Sequence, residues 1–287
     1  APGRAPVRPG PAVSPRRRGG RVSVATGVWL YPDAPVGELV VAVVRLDDAG
    51  IGEVWIADEG VMRDPIVVFA AAACRTTRIR MGVGITSPAL RHAGAIASTV
   101  ASLDELSGGR VMLGFGVGGQ QSLGPFGLHV ERPVALVRDA LSVARAVLGR
   151  VDGEGYSVTA HAAPARDVPL YVASRGEQIN TLASRVADGV FLSGFAPDEL
   201  PVVLDWVRRE GAPTVALYQS VRFASSAAAD PTSVAGAPAE IVEVLESLVD
   251  RHRPDSIGLA LVDGAPVLDM LAPAIETLHL FRRRAPR

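Results

Sequence analysis

Leu103-Asp104-Glu105-Leu106-Ser107-Gly108-Gly109-Arg110-Val111-Met112-Leu113-Gly114-Phe115-Gly116-Val117-Gly118-Gly119 is the stretch on which the fold turns. A helical pattern stops at the glycine pair, an apolar strand follows directly, and the strand opens into a glycine-rich turn. Glycine has no Cβ, so backbone N–H groups in such a turn can close on a ligand with no side chain in the way. The junction is where the phosphate of a bound cofactor is expected.

The same alternation runs through the chain from Val22 onward. Apolar, β-branched runs predict strands at Val22–Leu30, Glu53–Asp58, Ile79–Ile85, Arg110–Val117, Pro169–Ser174, Gly189–Gly194, Pro213–Phe223 and Ser256–Val262. Helical periodicity falls between and after them, at Gly37–Ala49, Pro65–Ala73, Ala93–Leu106, Arg132–Leu148, Glu177–Val186, Pro197–Arg209, Ala239–His252 and Val267–Arg284. Gly50, Gly149 and Gly211 stand where helices should stop, and Pro65, Pro197 and Pro238 where they should start. Eight such units over residues 22–287 match the roughly 250 residues typical of a (β/α)8 barrel. The expected fold class is therefore α/β, a (β/α)8 TIM barrel.

An open doubly wound sheet is the competing architecture. Gly114–Gly119 fits the bare G-x-G-x-x-G pattern, but Gln120-Gln121-Ser122-Leu123-Gly124-Pro125 predicts no helix opening at Gly119. The acid about 20 residues on, Asp139, falls in mid-helix instead of at a strand tip.

Of the 287 residues 48% are hydrophobic and 21% charged, enough apolar material for a large core. Residues 1–21 differ: rich in Ala, Pro and Gly, with six arginines and no acid, they predict a disordered extension ahead of the barrel domain at 22–287. That tail holds six of the 29 basic residues and none of the 30 acids, which leaves the remainder at 23 against 30, near −7. Such a body does not draw polyanions by bulk charge, so nucleic acid is not an expected partner and any phosphate must be held locally. Every basic residue is Arg, which removes Schiff-base and pyridoxal-phosphate chemistry. The single Cys74 excludes a disulfide framework, suits a reducing cytoplasm, and sits among alanines at a spacing that predicts burial. Five scattered histidines predict no metal site, and no apolar run reaches membrane-spanning length.

In a barrel, chemistry gathers at the C-terminal ends of the strands. The sequence places Trp29, Tyr31, Asp58, Glu59, Thr86, Ser87, Val117–Gln120, Ser174, Arg175, Ser193, Phe195, Arg222 and Asp263 there. This set offers hydroxyls, backbone donors and one adjacent acid pair. Elsewhere, Asp104, Glu105 and Arg110 are read as helix–strand packing, Asp188 as a cap on the turn into strand six, and Arg78 and Arg80 as solvated.

Four segments together resemble the bacterial-luciferase-like superfamily of flavin-dependent oxidoreductases, and within it the branch using the deazaflavin coenzyme F420, typified by methylenetetrahydromethanopterin reductase. They are Ala49–Glu59; Thr77–Thr86 running on to Arg91-His92; the opening stretch with the helix Ala97–Leu106 before it; and Pro169–Gly176 followed by Leu182–Val190. The resemblance implies a cytoplasmic oxidoreductase with a small-molecule substrate, a homodimeric assembly, and F420 (alternatively FMN) lying across the barrel mouth. It implies Asp58 near the reactive face of the ring, and a bulge with a non-prolyl cis peptide at Gly84-Ile85-Thr86 behind it. Phosphate would be held by backbone at Val117-Gly118-Gly119 and Ala173-Ser174-Arg175-Gly176, with the following helix dipole and the Arg175 charge adding to the pull. Asp58, Glu59 and His92 are the catalytic candidates, and Trp29 and Tyr31 would shape the ring pocket. Helix capping is the alternative role for the two acids, and a structural role for His92.

Many relatives have His where this chain has Glu59, His-Pro where it has His92-Ala93, and Gly-Pro where it has Gly176-Glu177. The connection Ala224–Pro238 is shorter than the usual helical insertion, which predicts a more open barrel. The leading reading is F420-dependent hydride transfer. An FMN-dependent monooxygenase and a catalytically silent binding barrel stay open as alternatives.

Overall fold

Strands and helices alternate as the periodicity dictates in the computed structural model, which describes residues 24–149, 167–223, 230–262 and 264–284. The extension at 1–21, residues 224–229 of the 224–238 connection and Asp263 lie outside the described residues. In chain order the elements are β1 (Ala25–Leu30), α1 (Val36–Asp48), β2 (Glu53–Ile56), α2 (Pro65–Ala73), β3 (Arg80–Thr86), α3 (Ala93–Ser107) and β4 (Val111–Phe115). Then come α4 (Gln120–Leu123), a 3-10 turn (Gly124–Phe126), α5 (Pro133–Val147), β5 (Leu170–Val172), α6 (Glu177–Val186), β6 (Gly189–Ser193) and α7 (Leu200–Arg208). The last are β7 (Thr214–Arg222), β8 (Ser233–Ala235), α8 (Pro238–His252), β9 (Ser256–Leu261) and α9 (Val267–Arg284). Parallel pairing runs from β1 to β7 in order, and β9 closes the ring between β7 and β1. The sheet is a closed (β/α)8 barrel, and its closure excludes the open doubly wound alternative.

Two local expectations need correction. A helix does open at Gly119: α4 is one turn long, because Ser122 and Leu123 are buried beneath the mouth and Gly124-Pro125 stops it. The strand β8 lacks any alternating pattern and exists through pairing alone, with Ser220, Val221 and Arg222 of β7 opposite Ser233, Val234 and Ala235. It takes up the flank of β7 just beyond Tyr218, where the pairing with β6 ends.

The barrel interior is filled by Trp55, Met112, Tyr171, Phe191 and Tyr218. Each large ring needs a neighbouring strand without a side chain. A Cβ on Gly82 would lie 2.1 Å from Trp55, one on Gly27 1.9 Å from Tyr218, and one on Gly189 2.3 Å from Tyr171. Below the rings, at the N-terminal end, Glu53 is buried and accepts hydrogen bonds from Ser256 Oγ at 2.9 Å and Tyr218 Oη at 3.2 Å. Arg80 pairs with it at 3.2 Å. Arg80 is thus not simply solvated: register places it level with Glu53 on the inner face, and the buried carboxylate draws it in.

Outside the strands, buried carboxylates tie helices to strand starts. Asp47, at the end of α1, accepts from the N–H groups of Ile79, Arg78 and Thr77 at 2.7, 3.0 and 3.1 Å, and Arg78 donates back to its carbonyl at 2.7 Å, so Arg78 is likewise engaged. Arg110 donates to the carbonyls of Ala73, Thr76, Ile79 and Ser107, and Asp104 accepts from Val111 N–H, the packing roles expected of both. Asp188 accepts from Leu170 N–H at 2.8 Å and pairs with Arg145, so it fastens the start of β5. Cys74 is exposed, against expectation, because α2 ends at Ala73 and the cysteine falls at its C-cap.

Two outcomes follow from this packing. Gly82→Ala should cost about 3 kcal/mol in urea unfolding, since backbone and indole must part, while Gly37→Ala on the open side of α1 should change stability by less than about 0.5 kcal/mol. Burial would raise the Asp47 pKa, but the Ile79, Thr77 and Arg78 N–H groups and the Arg78 charge outweigh it and hold the pKa below 3.8. A carboxyl depressed on folding stabilises the native state above its unfolded pKa and loses that contribution as pH falls through the folded one. Asp47→Asn should therefore cost about 2 kcal/mol near neutrality, with the gap to the parent protein narrowing in melts recorded at progressively more acidic pH.

Candidate functional site

The strand ends enclose a cavity of about 410 Å³ at the barrel mouth, lined by Trp29, Asp58, Glu59, Ile85, the turn 116–119, Gln121, Ser122, the turn 173–175, Phe191, Ser193 and Phe195 among others. β2 runs straight into the acid pair. Asp58 accepts from Thr86 Oγ1 at 2.6 Å and from Gly60 N–H at 3.3 Å. Glu59 accepts from Ser122 Oγ. Both carboxylates face one cavity, and neither caps a helix, since the α2 N-cap is Asp64.

β3 ends in a cis peptide between Gly84 and Ile85, with the register against β4 shifting between Val83 and Thr86. The Ile85 side chain lies over β4 and helps form the cavity wall: a Cβ on Gly114 would be 2.5 Å from it and one on Gly116 2.7 Å. Thr86 is buried behind Asp58, and Ser87 donates to the Val117 carbonyl from beneath the turn. Gly118 has a φ of +92°, a conformation that only glycine adopts freely.

The second turn follows β5. Ser174 Oγ accepts from Gly176 N–H at 3.1 Å, and Gly176 is the N-cap of α6 with no side chain capping the helix, so its first N–H groups are left for an anion. Asn180 is fully buried and donates from Nδ2 to the carbonyls of Ser174 at 3.1 Å and Gly176 at 3.0 Å. Arg175 lines the cavity but is not a bare charge: it donates to the Gly194 carbonyl, pairs with Glu199 at 3.6 Å and stacks 4.7 Å over Phe195. Glu177 is turned to Arg209 at 2.7 Å and does not line the cavity, which removes the conflict between an acid and a phosphate at this turn.

His92 caps α3, its Nδ1 accepting from Gly94 N–H at 3.2 Å, and lines neither cavity of the mouth. Arg222 is held by Ser233 and Asp230 and is likewise absent from the walls. Sequence reasoning missed Ser122 and Asn180. Ser122 was hidden by the expectation of no helix after Gly119, whereas Asn180 six residues beyond Ser174 reads as ordinary helix surface. A second cavity of about 310 Å³ opens between the ends of β1 and β9, lined by Trp29, Tyr31, Asp33, Leu261, Ala265 and Met270 among others.

With this geometry in view, comparison with known proteins is informative. Residues 16–252 match the model of a family described as luciferase-like monooxygenase. The chain is 28% identical over 254 residues to a 5,10-methylenetetrahydromethanopterin reductase of Methanolobus tindarius, covering 83% of this chain and 78% of that protein. It is 32% identical over 171 residues to an F420-dependent glucose-6-phosphate dehydrogenase of Beutenbergia cavernae, spanning 53% of this chain and about half, 51%, of that relative. The solved structure of coenzyme F420-dependent tetrahydromethanopterin reductase from Methanopyrus kandleri superposes with a TM-score of 0.72 at 21% identity, covering 89% of this chain and 97% of that one. At that identity the superposition establishes a shared fold.

The Asn180 brace can be checked directly. Asn180→Leu keeps the volume but removes both donors, and amide exchange at residues 174–177 should speed up about tenfold or more, since two hydrogen bonds are lost.

Proposed function

The chain belongs to the luciferase-like monooxygenase family, and we propose that within it the protein is an oxidoreductase that uses coenzyme F420 to exchange a hydride with a small organic substrate. The observation that carries this reading is the facing of two elements across one cavity: backbone turns shaped for an anion on one side, and an adjacent acid pair on the other. The residues present fit the cofactor. Gly116 and Gly118 leave the first turn without side chains, and the uncapped N-terminus of α6 offers N–H groups at the second. Val117-Gly118-Gly119 and Ala173-Ser174-Arg175-Gly176 would hold the phosphate, with Gly84, Ile85 and Thr86 behind the ring and Asp58 beside it. Its relatives' names point the same way.

When bound, the deazaflavin supplies two-electron hydride exchange. A hydride exchanged at a substrate carbon requires a matching proton at the neighbouring heteroatom, and the acid pair is placed to hold it. Both Asp58 oxygens already accept hydrogen bonds, from Thr86 and Gly60, so Asp58 is held in place and orients its surroundings. Glu59 is engaged through Oε2 by Ser122 and stands where many relatives carry His; it is the proton carrier of this reading. His92 drops to a structural role in α3. A cytoplasmic setting and a homodimer belong to the same proposal, the second resting on family resemblance and testable by light scattering.

Anaerobic titration of the purified protein with F420 and, separately, FMN decides the matter. F420 should bind with quenching of its fluorescence, and Gly118→Ala, strained by its φ and by Leu123 at 3.1 Å, should weaken that binding about tenfold or more. Tight FMN binding without F420 binding would instead establish the monooxygenase reading, and binding of neither would leave a catalytically silent barrel.

A further inference from the structure

We infer that the cavity between the ends of β1 and β9 receives the second reactant, and that it admits small uncharged carbonyl compounds or alcohols while rejecting phosphorylated or carboxylated ones. This deepens, and rests on, the reading of the mouth as an F420 site. In ring order the neighbours β9 and β1 stand diametrically across from β4 and β5, whose turns offer the anion-binding backbone. Trp29 lines both cavities and so marks where they meet. A molecule in the smaller one therefore adjoins the larger cavity that holds the acid pair, on the side of the barrel away from the two glycine-containing turns.

The walls of that cavity set the selection. Leu30, Leu261, Val262, Ala265, Val267 and Met270 make it apolar. Its ionisable lining groups, among the described residues, are Asp33 and Tyr31, with no arginine. The two basic side chains placed at this end of the barrel from sequence are committed elsewhere: Arg175 to Glu199 and Gly194, Arg222 to Asp230 and Ser233. An anion entering here would meet the Asp33 carboxylate and, among the described lining residues, no compensating cation, and it would lose its hydration against an apolar wall. An uncharged carbonyl loses little, and Tyr31 offers it a hydrogen-bond donor. Burial, then the negative charges of Glu59 and Asp33, push the Tyr31 pKa up, so the phenol keeps its proton.

Methionine-methyl NMR of the full chain tests this, with Met270 as the reporter in the wall, assigned through Met270→Leu. Cyclohexanone, the uncharged probe, should shift the Met270 signal, and glucose 6-phosphate at equal concentration should not. Ala265→Phe, which fills the cavity, should weaken cyclohexanone binding about tenfold while leaving F420 affinity unchanged. Asp33→Arg alters an exposed rim position that no core packing depends on, and should raise glucose 6-phosphate affinity about tenfold; it decides the question if Ala265→Phe does not fold. Glucose 6-phosphate shifting Met270 in the parent protein, or cyclohexanone affinity untouched in folded Ala265→Phe, would overturn the inference. A Met270 response to cyclohexanone in protein that fails to bind F420 would refute the cofactor reading and leave the pocket's selectivity standing.

Discussion

A closed barrel of eight strands has room for large rings only where the facing strand carries no side chain, and this exclusion governs the rest of the molecule. Trp55 lies against Gly82 and Gly84, Tyr218 against Gly27 and Gly258, and Tyr171 against Gly189. The same rule continues upward into the mouth. Ile85 can lie over β4 because Gly114 and Gly116 are bare, and Ile85 then forms part of the cavity wall. Among the glycines of the opening stretch, Gly114 and Gly116 thus seat a side chain, while Gly118 and Gly119 line the cavity with bare backbone.

Charge is arranged by height in the barrel. At the closed N-terminal end, Glu53 is neutralised by Arg80 and by two hydroxyls, so a buried carboxylate is tolerated inside an otherwise aromatic interior. Among the described residues that line the two cavities of the open end, the acids are Asp33, Asp58 and Glu59 and the cation is Arg175, which pairs with Glu199. Backbone N–H groups at the two glycine-containing turns bring partial positive charge without a side chain, in a chain that has no lysine at all. Trp29 lines both cavities of the mouth.

Most of the architecture was legible because burial on both faces leaves a parallel strand as an unbroken apolar run, and helices in such units carry strong stop and start residues. Three of the helices, Pro65–Ala73, Glu177–Val186 and Val267–Arg284, match residue for residue. What escaped was defined by distant partners. Ser233–Ala235 is a strand only because β7 is beside it, Gln120–Leu123 is a helix because its last two residues are covered, and Arg80 turns inward because Glu53 lies level with it. Cys74 failed for a smaller reason: it lies one residue past the end of α2, which was read correctly, and at that C-cap helical spacing no longer decides burial. At the mouth, the acid pair and the two turns were placed by the strand-end reading and the Gly84–Ile85 bulge by family resemblance, while Asn180 and Ser122 act through contacts that no local pattern announces.

Order along the chain determined the alternation of strands and helices, the eight repeating units, the barrel, and the placement of chemistry-bearing residues at strand ends, because period and punctuation are local properties of sequence. Tertiary structure alone decided that Asp58 and Glu59 share one cavity, that Arg175 is already engaged, that His92 is a cap, and that an apolar pocket opens beside Trp29. The physical reason is closure: joining β9 to β1 brings residues from opposite ends of the chain within contact distance, and which side chains then meet depends on register and rotamer, quantities that no stretch of sequence carries by itself.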